Sequence, residues 1–360
     1  MQTYLLLSLL IFLVSSICTY LLIPRLRGYA FKKGYVVKPR DHRIDIPPAT
    51  RKASHDYPIP LTGGLAVLAA FAISMLVALL VFPELFAAEG IGIRFGGLFL
   101  AALLVGLTGL VDDIRKLSYK SRLLIGGLVM LLLLVVTIYG ETFLLPGGFR
   151  WQIGVPELIL LLVWCLGLSN AINLIDGLDG SAAGIIAIAT LWLGLITTID
   201  AFLVTVVLTS IMASCVAFLA FNFYPASIFL GSTGTLFLGF VLALITIWPP
   251  AREMPNYFFP YAILIFAVPL ADMSVVFLER IMHGKNPFVA DSWHIHDRVL
   301  LTGMGRKQAA MTIWGVSFLC GLFAYLAFRG LLPYLVAAAL TALALILFYV
   351  IIGKNNIKRP

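Results

Sequence analysis

Long apolar runs dominate this chain and leave few folds open to it. Eleven can be marked, at about 3–24, 62–82, 96–111, 122–139, 157–173, 182–199, 201–221, 228–248, 258–279, 308–328 and 331–352. A helix needs about 20 apolar residues to cross a bilayer. Apolar residues make up 61% of the chain and charged residues 12%, whereas soluble domains carry roughly 45–50% and about 25%. The expected fold is therefore an all-α polytopic membrane protein with about eleven transmembrane helices. The run at 96–111 is short, and is expected to tilt or to be partly buried by protein. The first run is too long for a removed signal peptide and lacks a cleavage-site pattern. No tandem repeat or long low-complexity linker divides the chain, so one domain over 1–360 is the simplest description.

An odd number of spans places the termini on opposite sides, and basic residues mark the cytoplasmic side. With the N-terminus outside and the C-terminus inside, 21 of the 25 Lys and Arg residues fall in inner segments. Only Arg94, Arg150, Arg252 and Arg329 fall outside. The net charge of +8 then reads as an inner-face signature rather than a nucleic-acid footprint. It would also draw an anionic, phosphate-bearing substrate to that face. Cys18, Cys165, Cys215 and Cys320 all fall in expected spans with no CxxC spacing. They read as small apolar packers, not disulfides or metal ligands.

Polar groups gather in the inner segments. The densest stretch runs from Asn170 to Gly184 and carries Asn170, Asn173, Asp176 and Asp179 between two apolar runs. Charged groups at membrane depth are costly and face a bundle interior or a watery cavity, where they mark function. Spacings of three put successive pairs on neighbouring faces of a helix, and Gly177 and Gly180 permit a turn or close approach to a ligand. A polar helix end needs only one cap, so four such groups exceed a capping role.

Further along the inner face stand Asp112 and Asp113, followed by Arg115, Lys116, Lys120 and Arg122. Adjacent carboxylates suit a hard divalent cation, which takes oxygen ligands from one or two carboxylates together with substrate phosphates. A carboxylate could also orient a phosphate nucleophile. The first inner segment, 25–61, is basic and proline-rich; it reads either as a positive-inside anchor or as a segment from which Lys52 and His55 reach a phosphate. Gly231-Ser232-Thr233-Gly234-Thr235 opens the eighth run. It offers backbone N–H groups and hydroxyls to an anion, or simply an N-cap. The last inner loop holds His283, His294, His296, Asp297 and Arg298. Zinc is disfavoured there, since no cysteine accompanies the histidines and no HExxH occurs. The outer loops are short and lack clustered acids or histidines; the largest, Gly140–Pro156, reads as a surface turn.

Together these segments resemble the polyprenyl-phosphate N-acetylhexosamine-1-phosphate transferases of glycosyltransferase family 4. The likeness is to the bacterial undecaprenyl-phosphate GlcNAc-1-phosphate transferases that initiate O-antigen and teichoic-acid synthesis. It covers Lys52 to Gly303 and rests on five ordered motifs: PIPxxGG at 58–64, DDxxxLSxK at 112–120, NAINLIDGLDG at 170–180, FNFxPAxIFLG at 221–231 and NPFxADxxHIH at 286–296. The phospho-MurNAc-pentapeptide branch carries a different histidine loop and ranks lower.

The resemblance implies that a polyprenyl phosphate attacks the β-phosphate of a UDP-HexNAc with Mg²⁺, or Mn²⁺, assisting. UMP leaves and a polyprenyl-diphosphate sugar forms at the cytoplasmic face of a bacterial inner membrane. It places Asp112 and Asp113 near the lipid phosphate and Asn173 on the metal-bound diphosphate. Asp176 and Asp179 shape the nucleotide site, and Lys120, His294, His296 and Arg298 address phosphate or sugar. Lys52, His55, Asn170 and Gly231 join the substrate-binding set. The inner segments 25–61, 112–121, 170–181, 222–235 and 280–307 form the site, and the resemblance admits a homodimer. Three departures stand out. Ser232 occupies the place of an aspartate that is a metal ligand in the family, Asp297 replaces a histidine, and Ser227 replaces a frequent basic residue. One carboxylate lost and one gained suggest that Asp297 takes over part of the metal or charge role. The other reading is a catalytically weak relative that binds lipid phosphate or nucleotide as an assembly or regulatory subunit.

Overall fold

The computed structural model describes residues 2–37, 57–87, 91–137, 142–144, 150–197, 202–247, 258–286 and 293–353. It is an all-α polytopic membrane protein. The helices are α1 (Gln2–Lys33), α2 (Gly63–Val81), α3 (Pro83–Phe86), α4 (Ile91–Arg115), α5 (Tyr119–Thr137), α6 (Val155–Ile175) and α7 (Ser181–Ile196). They continue with α8 (Phe202–Asn222), α9 (Gly231–Ile247), α10 (Phe258–Ile265), α11 (Ala267–Met282), α12 (Ile295–Leu301), α13 (Arg306–Phe328) and α14 (Tyr334–Gly353). Eight of them, α1, α2, α4, α5, α6, α8, α13 and α14, are long and apolar enough to cross a membrane.

The remaining expected runs are helical but depart from simple spans. α10 and α11 form one apolar stretch bent by 72° at Phe266. α7 and α9 have only 16 and 17 residues, so α9 is about 25 Å long at 1.5 Å per residue. The run at 96–111 is longer than expected, because α4 extends from Ile91 to Arg115. Two short antiparallel pairs interrupt the helical pattern. β1 (Val36–Val37) pairs with β2 (Ile59–Pro60), and β3 (Thr142–Leu144) pairs with β4 (Arg150–Gln152). The loop after α5 thus holds a small hairpin where a plain turn was expected.

α9 is the centre of the bundle. Every residue of it except Ser232 is buried, and α2, α4 and α6 pack around it. Lipid tails are as apolar as leucine, so helices in a bilayer associate by close packing and hydrogen bonds, not by hydrophobic exclusion. The sequence supplies small residues where α9 is crossed. A Cβ on Gly64 of α2 would overlap the Gly234 amide nitrogen, and one on Gly109 of α4 would overlap the Ser232 carbonyl. On the other side, a Cβ on Gly239 would lie 2.6 Å from Ser169 Cα of α6. α7 and α13 interlock reciprocally: Trp314 lies against Gly184, and Trp192 against Gly321. Hydroxyls add polar links. Ser15 Oγ lies 2.6 Å from Ser74 Oγ and donates to Ser210 Oγ at 2.9 Å, which joins α1, α2 and α8. All four cysteines are free, and Cys165, Cys215 and Cys320 are buried.

Candidate active site

The polar motifs, dispersed in sequence, meet around the N-terminal end of α9. The chain enters α9 through Gly231, whose φ of +70° suits glycine. A Cβ there would come within 2.7 Å of Asp113 Oδ2, so glycine is also what lets Asp113 approach. Asp113, in the last turn of α4, accepts the Ser232 N–H on Oδ1 at 2.8 Å. Its Oδ2 accepts the Thr233 N–H at 2.9 Å and the Thr233 hydroxyl at 2.6 Å. The first N–H groups of a helix lack intrahelical partners and carry its positive end. Asp113 fills that role for α9. The anion seat anticipated at Gly231–Thr235 therefore holds a carboxylate of the protein itself.

Asp112 turns the other way. Its Oδ1 accepts the Leu117 N–H at 3.1 Å, and Oδ2 lies 3.6 Å from Arg122 Nη1. These contacts hold the sharp turn from α4 to α5, where Lys116 takes φ +50°. Asn173, near the end of α6, donates from Nδ2 to Thr235 Oγ1 at 2.7 Å, and Thr235 in turn donates to the Gly231 carbonyl at 3.0 Å. Asp113 and the Asn stretch are thus tied to the same helix end.

Asp176 caps α6 and is 7% exposed. The turn that follows is stitched to the segment before α9. Asp179 Oδ2 accepts the Ala226 N–H at 2.9 Å. Asn222 accepts the Gly180 N–H at 3.0 Å and donates to the Ile228 carbonyl at 2.8 Å. The 58–64 motif lies along the other edge of that segment. The Phe229 N–H donates to the Pro60 carbonyl at 2.8 Å, and Gly63 and Gly64 donate back to Phe229 and Leu230 at 3.0 and 2.8 Å.

The histidine loop closes the site from the far side. The His296 ring lies flat enough on the α6–α7 turn that a Cβ on Gly177 would overlap it. His294 and His296 are nearly parallel, 8° apart, with centroids 5.8 Å from each other. His294 Nδ1 lies 2.9 Å from Asp272 Oδ2, and the Ile295 N–H donates to Asp272 Oδ1 at 2.6 Å. Asp297 Oδ2 accepts the His294 N–H at 3.3 Å and lies 3.6 Å from His296 Nε2. Burial pushes the Asp297 carboxyl above the usual carboxylate range, against the opposing pull of His296 and His294.

Other expected site residues stand apart. Asn170 donates to the Leu166 carbonyl of its own helix at 2.7 Å. Arg298 is tied to Glu279 at 2.7 Å and to the Trp293 carbonyl at 2.8 Å, with its guanidinium over the Tyr349 ring. Lys120 is exposed in the first turn of α5. Lys52 and His55 lie outside the described residues. Sequence reasoning did not place Asp272, Asn222 or Arg122 among the site residues. Asp272 had a signal of its own, a lone carboxylate in the apolar run Ala267–Val276, because an ionisable residue in such a helix is costly unless used.

Among the described residues, no three His, Cys, Asp or Glu side chains gather closely enough to hold a metal by themselves. The contacts of Asp297 among the described residues are to His294 and His296. Asn173, Ser232, Asp112 and Asp176 carry hard oxygen donors of the kind Mg²⁺ takes alongside substrate phosphates.

Comparison with known proteins agrees with this arrangement. Residues 95–249, from α4 through α9, match the model of glycosyl transferase family 4. A probable undecaprenyl-phosphate N-acetylglucosaminyl 1-phosphate transferase of Bacillus subtilis (strain 168) is 28% identical over 313 residues, covering 86% of this chain and 81% of its own. A phospho-N-acetylmuramoyl-pentapeptide-transferase of Bacillus mycoides (strain KBAB4) is 29% identical over 324 residues, covering 86% and 92%. One from Desulforudis audaxviator (strain MP104C) is 29% identical over 269 residues, covering 67% and 78%. The matched segment contains both carboxylate motifs and the helix they surround, and over it the chain is similar to glycosyl transferase family 4.

Proposed function

We propose that this protein transfers a HexNAc-1-phosphate, GlcNAc-1-phosphate first among the candidates, from a UDP-sugar to undecaprenyl phosphate. The observation that carries the reading is the convergence of Asp112, Asp113, Asn173, Asp176 and Asp179 with the histidine loop around one end of α9. A lipid phosphate anchored in the bilayer and a soluble nucleotide sugar can meet only at such an end. The N-acetylglucosaminyl 1-phosphate transferase named among the relatives supports the choice of sugar. The excess of basic residues on this side supports a cytoplasmic site in a bacterial inner membrane.

In the reaction, an oxygen of the lipid phosphate forms a bond to the β-phosphorus of the UDP-sugar. The bond from that phosphorus to the bridging oxygen breaks, and UMP leaves with the electron pair. Catalysis of this kind is positioning and charge neutralisation. Asp113 fixes the end of α9, so that Ser232 and Asn173 stand in one place relative to the substrates. Arg122 and Lys120 supply positive charge near the entering phosphates. Asp179 and Asn222 hold the turn that carries Asp176. Mg²⁺, bound by Asn173, Ser232 and the carboxylates Asp112 and Asp176 together with the diphosphate, would supply Lewis-acid neutralisation of the phosphate charge.

Ser232 supports a second reading, in which the chain binds lipid phosphate or nucleotide as an assembly or regulatory subunit. Purified protein in lipid, undecaprenyl phosphate, Mg²⁺ and a panel of UDP-sugars separate the two, with UMP release as readout. Lipid-dependent release from the unmodified chain is expected, and the sugar that supports it names the substrate. Silence from both the unmodified chain and Ser232→Asp, with nucleotide still bound, would favour the subunit.

A further inference from the structure

Asp272 is the most buried carboxylate in the site region, 1% exposed, and stands six residues past the α10–α11 bend at Phe266. Its two oxygens serve one short segment. Oδ1 accepts the Ile295 N–H at 2.6 Å, which pins the first residue of α12. Oδ2 lies 2.9 Å from His294 Nδ1. A carboxylate only accepts, so Nδ1 is the donor and carries the ring proton. In neutral histidine the other nitrogen, Nε2, is then a bare acceptor. Among the described residues Nε2 of His294 makes no hydrogen bond. The ring cannot easily turn, because its neighbour His296 is stacked parallel to it and is itself pressed onto Gly177.

We propose that Asp272 is a positioning residue: it holds His294 in the Nδ1–H tautomer and presents Nε2 as a lone-pair acceptor toward the substrates. The proposal deepens the phosphotransferase reading and rests on it for its kinetic consequence. The carboxylate fixes both the tautomer and the ring orientation, as outer carboxylates do for metal-bound or catalytic histidines. No bond is made or broken by Asp272 itself. The state prepared on His294 can take a proton from a phosphate or water, or donate one after protonation. An asparagine oxygen at this position can still accept the Ile295 N–H, so the change in Asp272→Asn reaches the site through His294 and should disable the same step as loss of His294.

The test uses the full chain in lipid nanodiscs with histidine labelled on its ring nitrogens. The chain has five histidines, and His294→Gln assigns the signal of interest. At a pH where the ring is neutral, His294 is expected to show a protonated Nδ1 and an unprotonated Nε2, the reverse of the tautomer favoured by free histidine. Asp272→Asn should shift it toward the Nε2–H form, and Asp272→Glu should restore part of the original pattern. An Nε2–H signal in the unmodified chain, or a tautomer indifferent to Asp272→Asn, would overturn the proposal. If Asp272→Asn does not purify as a monodisperse protein, the unmodified chain decides alone by the same criterion.

In turnover, Asp272→Asn should lower kcat about 10–100-fold, the cost of losing an outer-shell partner, with little change in KM for the UDP-sugar. It should cost nothing further in a His294→Gln background. Additive losses would instead mean a structural role and would overturn the proposal. An unmodified chain that releases no UMP would defeat the phosphotransferase reading, while the tautomer measurement would still decide the role of Asp272.

Discussion

Asp113 and Asp272 both accept hydrogen bonds from residues remote in sequence, yet they leave their surroundings in different states. Asp113 spends both oxygens on Ser232 and Thr233, 119 and 120 residues away, and closes the end of α9. Asp272 binds one backbone N–H and one imidazole, 23 and 22 residues away. The first contact secures a helix end and commits three hydrogen bonds of that carboxylate to it. The second passes its effect to a ring nitrogen. Carboxylates in one site can thus differ in kind: one builds the platform and the other prepares a reactive group. Loss of the platform should appear as instability, and loss of the preparer as slow turnover in a protein that still folds.

Asp113→Ala is the harshest test of that contrast. It strands three donors, each costing about 1–3 kcal/mol when left unsatisfied, so thermal unfolding should fall by roughly 3 kcal/mol or more, with UMP release lost. Asp113→Asn should recover part of the stability. A melting curve that does not move would remove the platform role.

Gly177→Ala probes the histidine side. The added methyl collides with the His296 ring, and a displacement near 1 Å can cost on the order of 100-fold in rate. The expected result is a large loss of kcat with nearly unchanged melting. Melting that drops as far as in Asp113→Ala would erase the distinction between the two regions.

Gly64→Ala tests the packing beneath both. Its Cβ would overlap the Gly234 backbone, and overpacking costs about 1–3 kcal/mol. Gly96→Ala is the control on α4, since nothing lies within 4 Å of its added carbon. It should be neutral or slightly stabilising in a melt.

Asp297→Asn should have the smallest effect. The folded-state carboxyl titrates above its ordinary range, so the folded protein holds the proton more tightly than the unfolded chain. Stability from this group is present below the unfolded value and declines as pH rises through the folded one. The asparagine variant should flatten that decline in melts recorded across the window just above the ordinary carboxylate range. An unchanged slope would show that the burial of Asp297 has no energetic weight.

Much of the fold was readable because span length and hydropathy are local properties. Every apolar run became a helix or a bent pair, and the NAIN stretch and the Asp112-Asp113 pair did converge on one bundle end. What stayed hidden depends on contacts across the chain. Nothing in Asp112-Asp113 itself says that one carboxylate turns to Arg122 and the other to α9. The short length of α7 and α9 was obscured because flanking apolar residues extended the runs. Asp272 stood without charged neighbours in the run Ala267–Val276, and its partners His294 and Ile295 arrive from the next segment. Arg298 was marked from its place beside a motif, and its partners, Glu279 and the Trp293 carbonyl, were not legible there.

The most direct test of the central claim follows the β-phosphorus. UDP-GlcNAc labelled at that atom is incubated with the purified chain, Mg²⁺ and undecaprenyl phosphate, and the lipid fraction is separated. Transfer of sugar-1-phosphate predicts that the label enters the lipid together with the sugar while UMP is released, and only when the lipid phosphate is present. Sugar in the lipid with the label left behind in UDP would contradict the account.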